Sequence, residues 1–130
     1  MEPRFLLDTN TIIYFCNGTL PEKANDFLQT EVDKGIYISV ISEIETLGYP
    51  SVIEYEAVIN EAFINGSIVV ELTRDVVDKT IEIRKACRIK LPDAIIAATA
   101  IVHNLTLVSR NDGDFRRIVD LNYLNPFTDI

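Results

Sequence analysis

Two cysteines, Cys16 and Cys87, stand far apart in the chain with neither a CxxC spacing nor a histidine partner. That pattern argues against a thiolate metal site or a disulfide framework, and the expectation is two reduced, packed thiols in a cytoplasmic protein. The single histidine, His103, closes an apolar segment and reads as a helix C-terminal residue rather than a ligand. No apolar run approaches the ~18–20 residues that a membrane span requires, and the N-terminus lacks the charged-then-apolar order of a signal peptide. Tyrosine and phenylalanine are scattered, not arrayed as a platform for stacking bases. Positive charge is also scarce. A net charge of −8 argues against a general electrostatic grip on nucleic acid. No repeat or low-complexity tract interrupts the chain.

What remains is enough for one domain, residues 1–130. With 48% hydrophobic and 25% charged residues in 130, it can bury a core without staples. The charge is unevenly spread. Seven of the twelve bases (Arg84, Lys85, Arg88, Lys90, Arg110, Arg116, Arg117) fall in one stretch, whereas Glu22 to Glu61 holds nine acids and only Lys23 and Lys34. The basic stretch is either a solvated helix face or a set of phosphate contacts, with Arg84, Arg88, Lys90 and Arg110 the candidates.

Apolar, β-branched runs at Phe5–Leu7, Ile36–Val40, Ser67–Leu72 and Leu105–Val108 predict strands, with a weaker one within Leu121–Phe127. Helical periodicity fills the intervals. One helix follows Asn10 and stops at Gly18; a second runs from Pro21 to about Lys34, with Ala24, Phe27, Leu28 and Val32 on one side. Ser42-x-x-Glu45 fits a capping box, and so does Ser51-x-x-Glu54, which would open a helix carrying Val52, Tyr55, Ile59 and Phe63 on one face. A further helix covers about Arg74–Arg88, with Val77 and Ile81 at helical spacing. Pro92 and Asp93 suit the start of an alanine-rich helix that ends at His103 and turns at Asn104. Strands alternating with helices call for an α/β fold with a mainly parallel sheet, whose ligands bind beyond the carboxyl ends of the strands.

Acids gather at those ends. Asp8 ends the first strand, Glu43 and Glu45 follow the second, and Asp112 and Asp114 lie in a loop after the strand at Leu105–Val108. Asp93 joins them if its helix runs down from the same edge. Each has a plainer reading as a cap, a turn residue or a surface acid. Asp8 is the exception, because an acid directly after a buried strand needs a partner. Glu43 and Glu45 point about 200° apart on a helix, so only one can face a shared pocket. Carboxylates gathered in one pocket suit Mg²⁺ or Mn²⁺; without a cation, two of them ~4 Å apart repel by on the order of 4 kcal/mol. A metal-activated water would need no nucleophilic side chain, and none is evident.

Leu7-Asp8-Thr9-Asn10, Ile38-Ser39-Val40-Ile41-Ser42-Glu43-Ile44-Glu45, Leu91-Pro92-Asp93 through Ala100, and Leu107 through Phe115 together resemble the PIN-domain family, and its VapC-type toxins most. The resemblance spans nearly the whole chain. It implies a three-layer α/β/α sandwich and a metal-dependent endoribonuclease using Mg²⁺ or Mn²⁺. Asp8, Glu45 and Asp93 match the first three family acids; Asp114 fits the fourth, with Asp112 the fallback. Ser109 stands where the family often has threonine and would orient a water on the metal, while Asn10 and Asn111 would support the ligands. It also implies a homodimer and a cognate antitoxin whose tail fills the acidic groove. A catalytically silent PIN-like binding module is the alternative. Phosphoryl-transfer domains of similar topology fit less well: a haloacid-dehalogenase-type phosphatase wants an acid where Asn10 stands, and a receiver domain wants a lysine near Arg110.

Overall fold

The structure, a computed structural model, describes residues 2–50 and 53–130. The elements run β1 (Phe5–Leu7), α1 (Thr9–Asn17), α2 (Glu22–Lys34), β2 (Tyr37–Ser39), α3 (Val40–Gly48), α4 (Glu54–Asn65), β3 (Ile68–Val70), α5 (Arg74–Ala86), α6 (Leu91–Val102), β4 (Thr106–Val108), α7 (Asp112–Phe115) and β5 (Tyr123–Leu124). Among the described residues the strands form one sheet in the order β3-β2-β1-β4-β5, every pairing parallel. Leu7 stands beside both Ile38 and Val108, so the carboxyl ends of β1, β2 and β4 share one edge. The strand order reverses at β1, which opens a crevice beyond β1 and β4.

Alternation along the strands splits the core in two, since successive side chains point to opposite faces. Leu6 and Leu107 enter one cluster with Val76, Ile83, Ile96 and Phe115, under α5, α6 and α7. Phe5, Leu7 and Val108 enter the other with Ile12, Leu28, Ile38 and Ile64, under α1, α2 and α4. The result is an α/β/α sandwich, as the sequence led us to expect. Leu7 is fully buried. Leu7→Ala should therefore cost about 2–5 kcal/mol of unfolding free energy, read as a lower urea midpoint at constant slope.

Several boundaries differ from expectation. The Ser42 capping box does not form: Ser39 is the N-cap, its side chain accepting from the Ile41 amide at 3.1 Å, and α3 begins at Val40. The helix thus starts directly off the strand, and Ser42 is buried inside it. Ser51 and Val52 lie outside the described residues; α4 begins at Glu54, one position after Ile53. Tyr55 is 74% exposed, so α4 turns Ile64 into the core, flanked by the half-buried Phe63. On α5 the buried stripe is Val76, Thr80 and Ile83, one position away from Val77 and Ile81. Helix α6 is buried from Ala94 to Ala100 on all sides, which its small side chains permit. Gly18 ends α1 at φ +73°, a left-handed conformation that suits glycine. Cys16 and Cys87 are free thiols packed against opposite faces of the sheet, and burial raises the Cys16 thiol to about 11. His103 caps α6, its carbonyl accepting from Arg4 Nη2 at 3.3 Å. Among the described residues no helix is long and apolar enough to cross a membrane.

Candidate active site

Asp8 follows β1 directly and serves as the N-cap of α1, its Oδ1 accepting from the Thr11 amide at 2.9 Å. Its own amide donates to the Val108 carbonyl at 3.2 Å, which stitches β1 to β4 at this edge. Only 7% of Asp8 is exposed. Burial raises its pKa above 3.8; hydrogen bonds from Ser109 and Thr11 pull the other way, and the charge of Glu45 adds to the rise. A buried carboxylate that stays ionised requires such donors.

Glu45 projects from α3 toward α1, where Thr9 Oγ1 donates to its Oε1 at 2.6 Å. Thr9 Oγ1 also lies 3.1 Å from the buried Ser42 Oγ. Neither threonine contact is legible from the sequence, because both depend on how α3 crosses α1; the only trace is that Thr9 directly follows Asp8.

Asp93 occupies the third position of α6, after Pro92 at the second, and makes no hydrogen bond among the described residues. Capping therefore does not account for it. Desolvation is the largest cause of its raised pKa, followed by the negative charges of Asp114, Asp8 and Glu45, with Lys90 opposing. The first turn of α6 thus points Asp93 into the field of three acids from three other elements.

The segment after β4 is a turn of helix rather than a loop. Asn111 caps α7 by accepting from the Asp114 amide at 3.3 Å, and its Nδ2 donates to Asp114 Oδ2 at 2.8 Å. Asp112 has other partners. The Tyr123 hydroxyl lies 2.8 Å from its Oδ1, Asn125 Nδ2 donates to the same oxygen at 3.0 Å, and Arg116 Nε is 3.2 Å away. These hydrogen bonds hold its pKa below the usual range. Asp112 ties α7 to β5, whereas Asp114 faces Asp93.

Ser109 is fully buried and bridges Asp8 to the loop, its Oγ accepting from the Asn111 amide at 3.0 Å. Asn10, Tyr14 and Arg110 line an open cleft with Asp8, Ser109 and Asn111. The four basic candidates are not equivalent. Arg110 borders the cleft, and Lys90 acts on Asp93. Arg84 and Arg88 line a shallow depression at the end of α5.

Among the described residues no three histidine, cysteine or acidic side chains form a ready-made metal cage. Glu45 and Asp114 are instead turned to Thr9 and Asn111. The donor set nevertheless fits a hard cation in its chemistry: Asp93 feels the charges of Asp8, Glu45 and Asp114, Asp8 feels that of Glu45, and Asp8 and Asp93 both have raised pKa values.

A search of curated protein sequences finds no relative. Solved structures are similar. VapBC2 from Rickettsia felis, bound to a DNA fragment from its promoter, matches at 25% identity over 93% of this chain and 97% of that one, with a TM-score of 0.80. DNA-bound VapBC from Salmonella typhimurium matches at 23% over 96% and 99%, with a TM-score of 0.83. FitAcB from Neisseria gonorrhoeae matches at 24% over 95% and 99%, with a TM-score of 0.77. The family model described as PIN domain matches residues 5–121, and with the sheet order and the acids at its carboxyl edge this places the chain in the PIN domain family.

Proposed function

We propose that the protein is a VapC-like toxin: a divalent-metal-dependent endoribonuclease of a toxin–antitoxin pair. What supports this reading most is the coupling of Asp93 to Asp8, Glu45 and Asp114, four acids from four separate elements. Like charges acting on one another in a partly desolvated pocket favour protons or cations. Asp8, Glu45, Asp93 and Asp114 would hold Mg²⁺ or Mn²⁺, and Thr9 and Asn111 would release Glu45 and Asp114 to it. The ion would supply an activated water and neutralise charge on the phosphodiester. The Ser109 hydrogen bond orients the Asp8 carboxylate and favours its charged form against the desolvation that raises its pKa. Asn10 and Asn111 frame the cleft through which substrate approaches, and Arg110, Lys90, Arg88 and Arg84 offer contacts to RNA phosphates.

The antitoxin partner follows from the VapBC and FitAB complexes among the similar structures. A groove between α1 and α4, lined by Ile13, Phe15, Tyr55 and Ile59, is a fitting seat for it. A second groove, sharing Ile13, Glu56 and Asn60 with the first, reaches Glu45. Ile44 and Leu47 leave exposed apolar surface on α3 for a second copy of the chain.

Incubation with single-stranded RNA tests the activity. Cleavage should require Mg²⁺ or Mn²⁺ and stop in EDTA. Cutting by Asp8→Asn at the wild-type rate would show that the acids do not carry it. The fourth acid has its own test. Asp114→Asn should lower the rate by roughly 10–100-fold with little change in melting temperature. Asp112→Asn should mainly lower the melting temperature and leave the cleavage rate nearly unchanged, since it weakens the brace to Tyr123, Asn125 and Arg116. The reverse pattern would hand the role to Asp112.

A further inference from the structure

Three arginines lie between β4 and β5, and their circumstances differ. Arg116 pairs with Asp112 at 3.2 Å and Asp129 at 2.7 Å. Arg117 donates to the Gly113 carbonyl at 3.1 Å and to the Arg88 carbonyl, and lies 3.7 Å from Asp114. The Arg110 side chain forms no hydrogen bond or ion pair among the described residues, although it borders the cleft that contains Asp8. It is nonetheless held in place. Its guanidinium carbon sits 4.1 Å from the centroid of the Phe127 ring. Phe127 in turn meets Tyr14 edge to face, with centroids 5.5 Å apart.

The ring is itself braced. The Phe127 amide donates to Asn125 Oδ1 at 2.8 Å, and Asn125 is 97% buried (3% exposed). Asn125 Nδ2 donates to Asp112 at 3.0 Å and its amide to Asp129 at 2.7 Å. The turn after β5 thus fixes an aromatic face under an arginine whose N–H donors are unspent.

An unrestrained arginine beside several carboxylates would fold onto them, cancelling the charge that draws a cation and losing its own donors. Stacking prevents this, because a guanidinium plane lies flat on an aromatic face with its edge donors outward. It also removes beforehand much of the side-chain freedom that a phosphate contact would otherwise have to freeze.

We propose that Phe127 is a positioning residue for RNA: it holds Arg110 away from the acids and presents its donors to a substrate phosphate on the Asp8 side of the cleft. The inference rests on the nuclease reading above and assigns a role to a part of the chain outside the four acid motifs.

The test is steady-state cleavage of a fluorophore–quencher single-stranded RNA oligonucleotide in Mn²⁺. Arg110→Ala should raise KM about tenfold, and Phe127→Leu about three- to tenfold, with kcat held within about twofold. Phe127→Tyr, which keeps the ring, should restore the wild-type KM. In the Arg110→Ala background Phe127→Leu should add nothing, because its effect passes through the arginine. A Phe127→Leu effect that persists undiminished in that background would mean a merely structural role and overturn the proposal; so would an unchanged KM. No metal-dependent cleavage by the unsubstituted protein would end the nuclease reading and this inference with it. Cleavage that Asp93→Asn abolishes but Phe127→Leu leaves untouched would overturn the positioning role alone.

Discussion

Asp93→Asn is expected to abolish RNA cleavage while raising the melting temperature of the protein in EDTA. The two effects have one cause. Asp93 is half-buried, without a hydrogen-bond partner among the described residues, and faces the charges of Asp114, Asp8 and Glu45. In the absence of a cation its ionised form costs folding free energy, and the neutral amide of the same shape does not bear that cost. Solvent screening keeps the gain small. A rise of roughly 2–6 °C corresponds to about 1 kcal/mol in a chain of this size. The same amide removes one anionic ligand, so the cleavage rate should fall at least ~100-fold. Thermal melts in EDTA and a metal-dependent cleavage assay read the two effects on one sample. A variant that melts lower and cuts normally would contradict both.

Mn²⁺ should stabilise the unsubstituted protein strongly, and more so as pH rises. At a free concentration about 100 times its dissociation constant, a ligand that binds only the native state adds ~2.7 kcal/mol. That is roughly 5–16 °C here. The pH dependence follows from Asp8 and Asp93, whose folded pKa values lie above 3.8. For an acid raised on folding, the native state binds the proton more tightly than the unfolded chain. The stability this confers is fully present below pH 3.8 and is lost as pH rises through the folded values. Metal binding displaces those protons, so the Mn²⁺ increment must grow over the same window in which the EDTA baseline loses this contribution. Differential scanning fluorimetry from pH 4 to pH 8, with Mn²⁺ and with EDTA, reads both. Asp93→Asn should flatten the trend. A Mn²⁺ increment independent of pH, or undiminished in that variant, would remove the metal from the account.

Much of the fold can be read from residue order, because the strands are short apolar runs and the helices between them end at Gly18, Gly35 and Gly48. Residue order also brings Asp8, one of Glu43 and Glu45, and the Asp112–Asp114 segment to one sheet edge, since parallel strands put their carboxyl ends together; Asp93 precedes its strand and joins them only if α6 runs down from that edge. Where the reading failed, two local solutions were nearly equal and a distant contact chose between them. Ser39 and Ser42 could both cap α3. Val76/Thr80/Ile83 and Val77/Ile81 are neighbouring stripes of one helix, and the position of α6 against α5 decides which is buried. The claim of Asp112 on the site depends on Tyr123 and Asn125, which no spacing within the acidic motif reveals. Thr9 and Phe127 were invisible for the same reason: each acts on a side chain from another element.

The pairing of Leu7 with Val108, with the Asp8 amide bonded to the Val108 carbonyl, has a bearing on biosynthesis. The central strand leaves the ribosome roughly a hundred residues ahead of one of its two neighbours, and such long-range closures fold slowly. Asp93 and Asp114 also belong to that late portion. On the nuclease reading proposed above, an activity divided in this way between two distant segments would be withheld from the nascent chain, and an inhibitor would have that interval in which to be on hand.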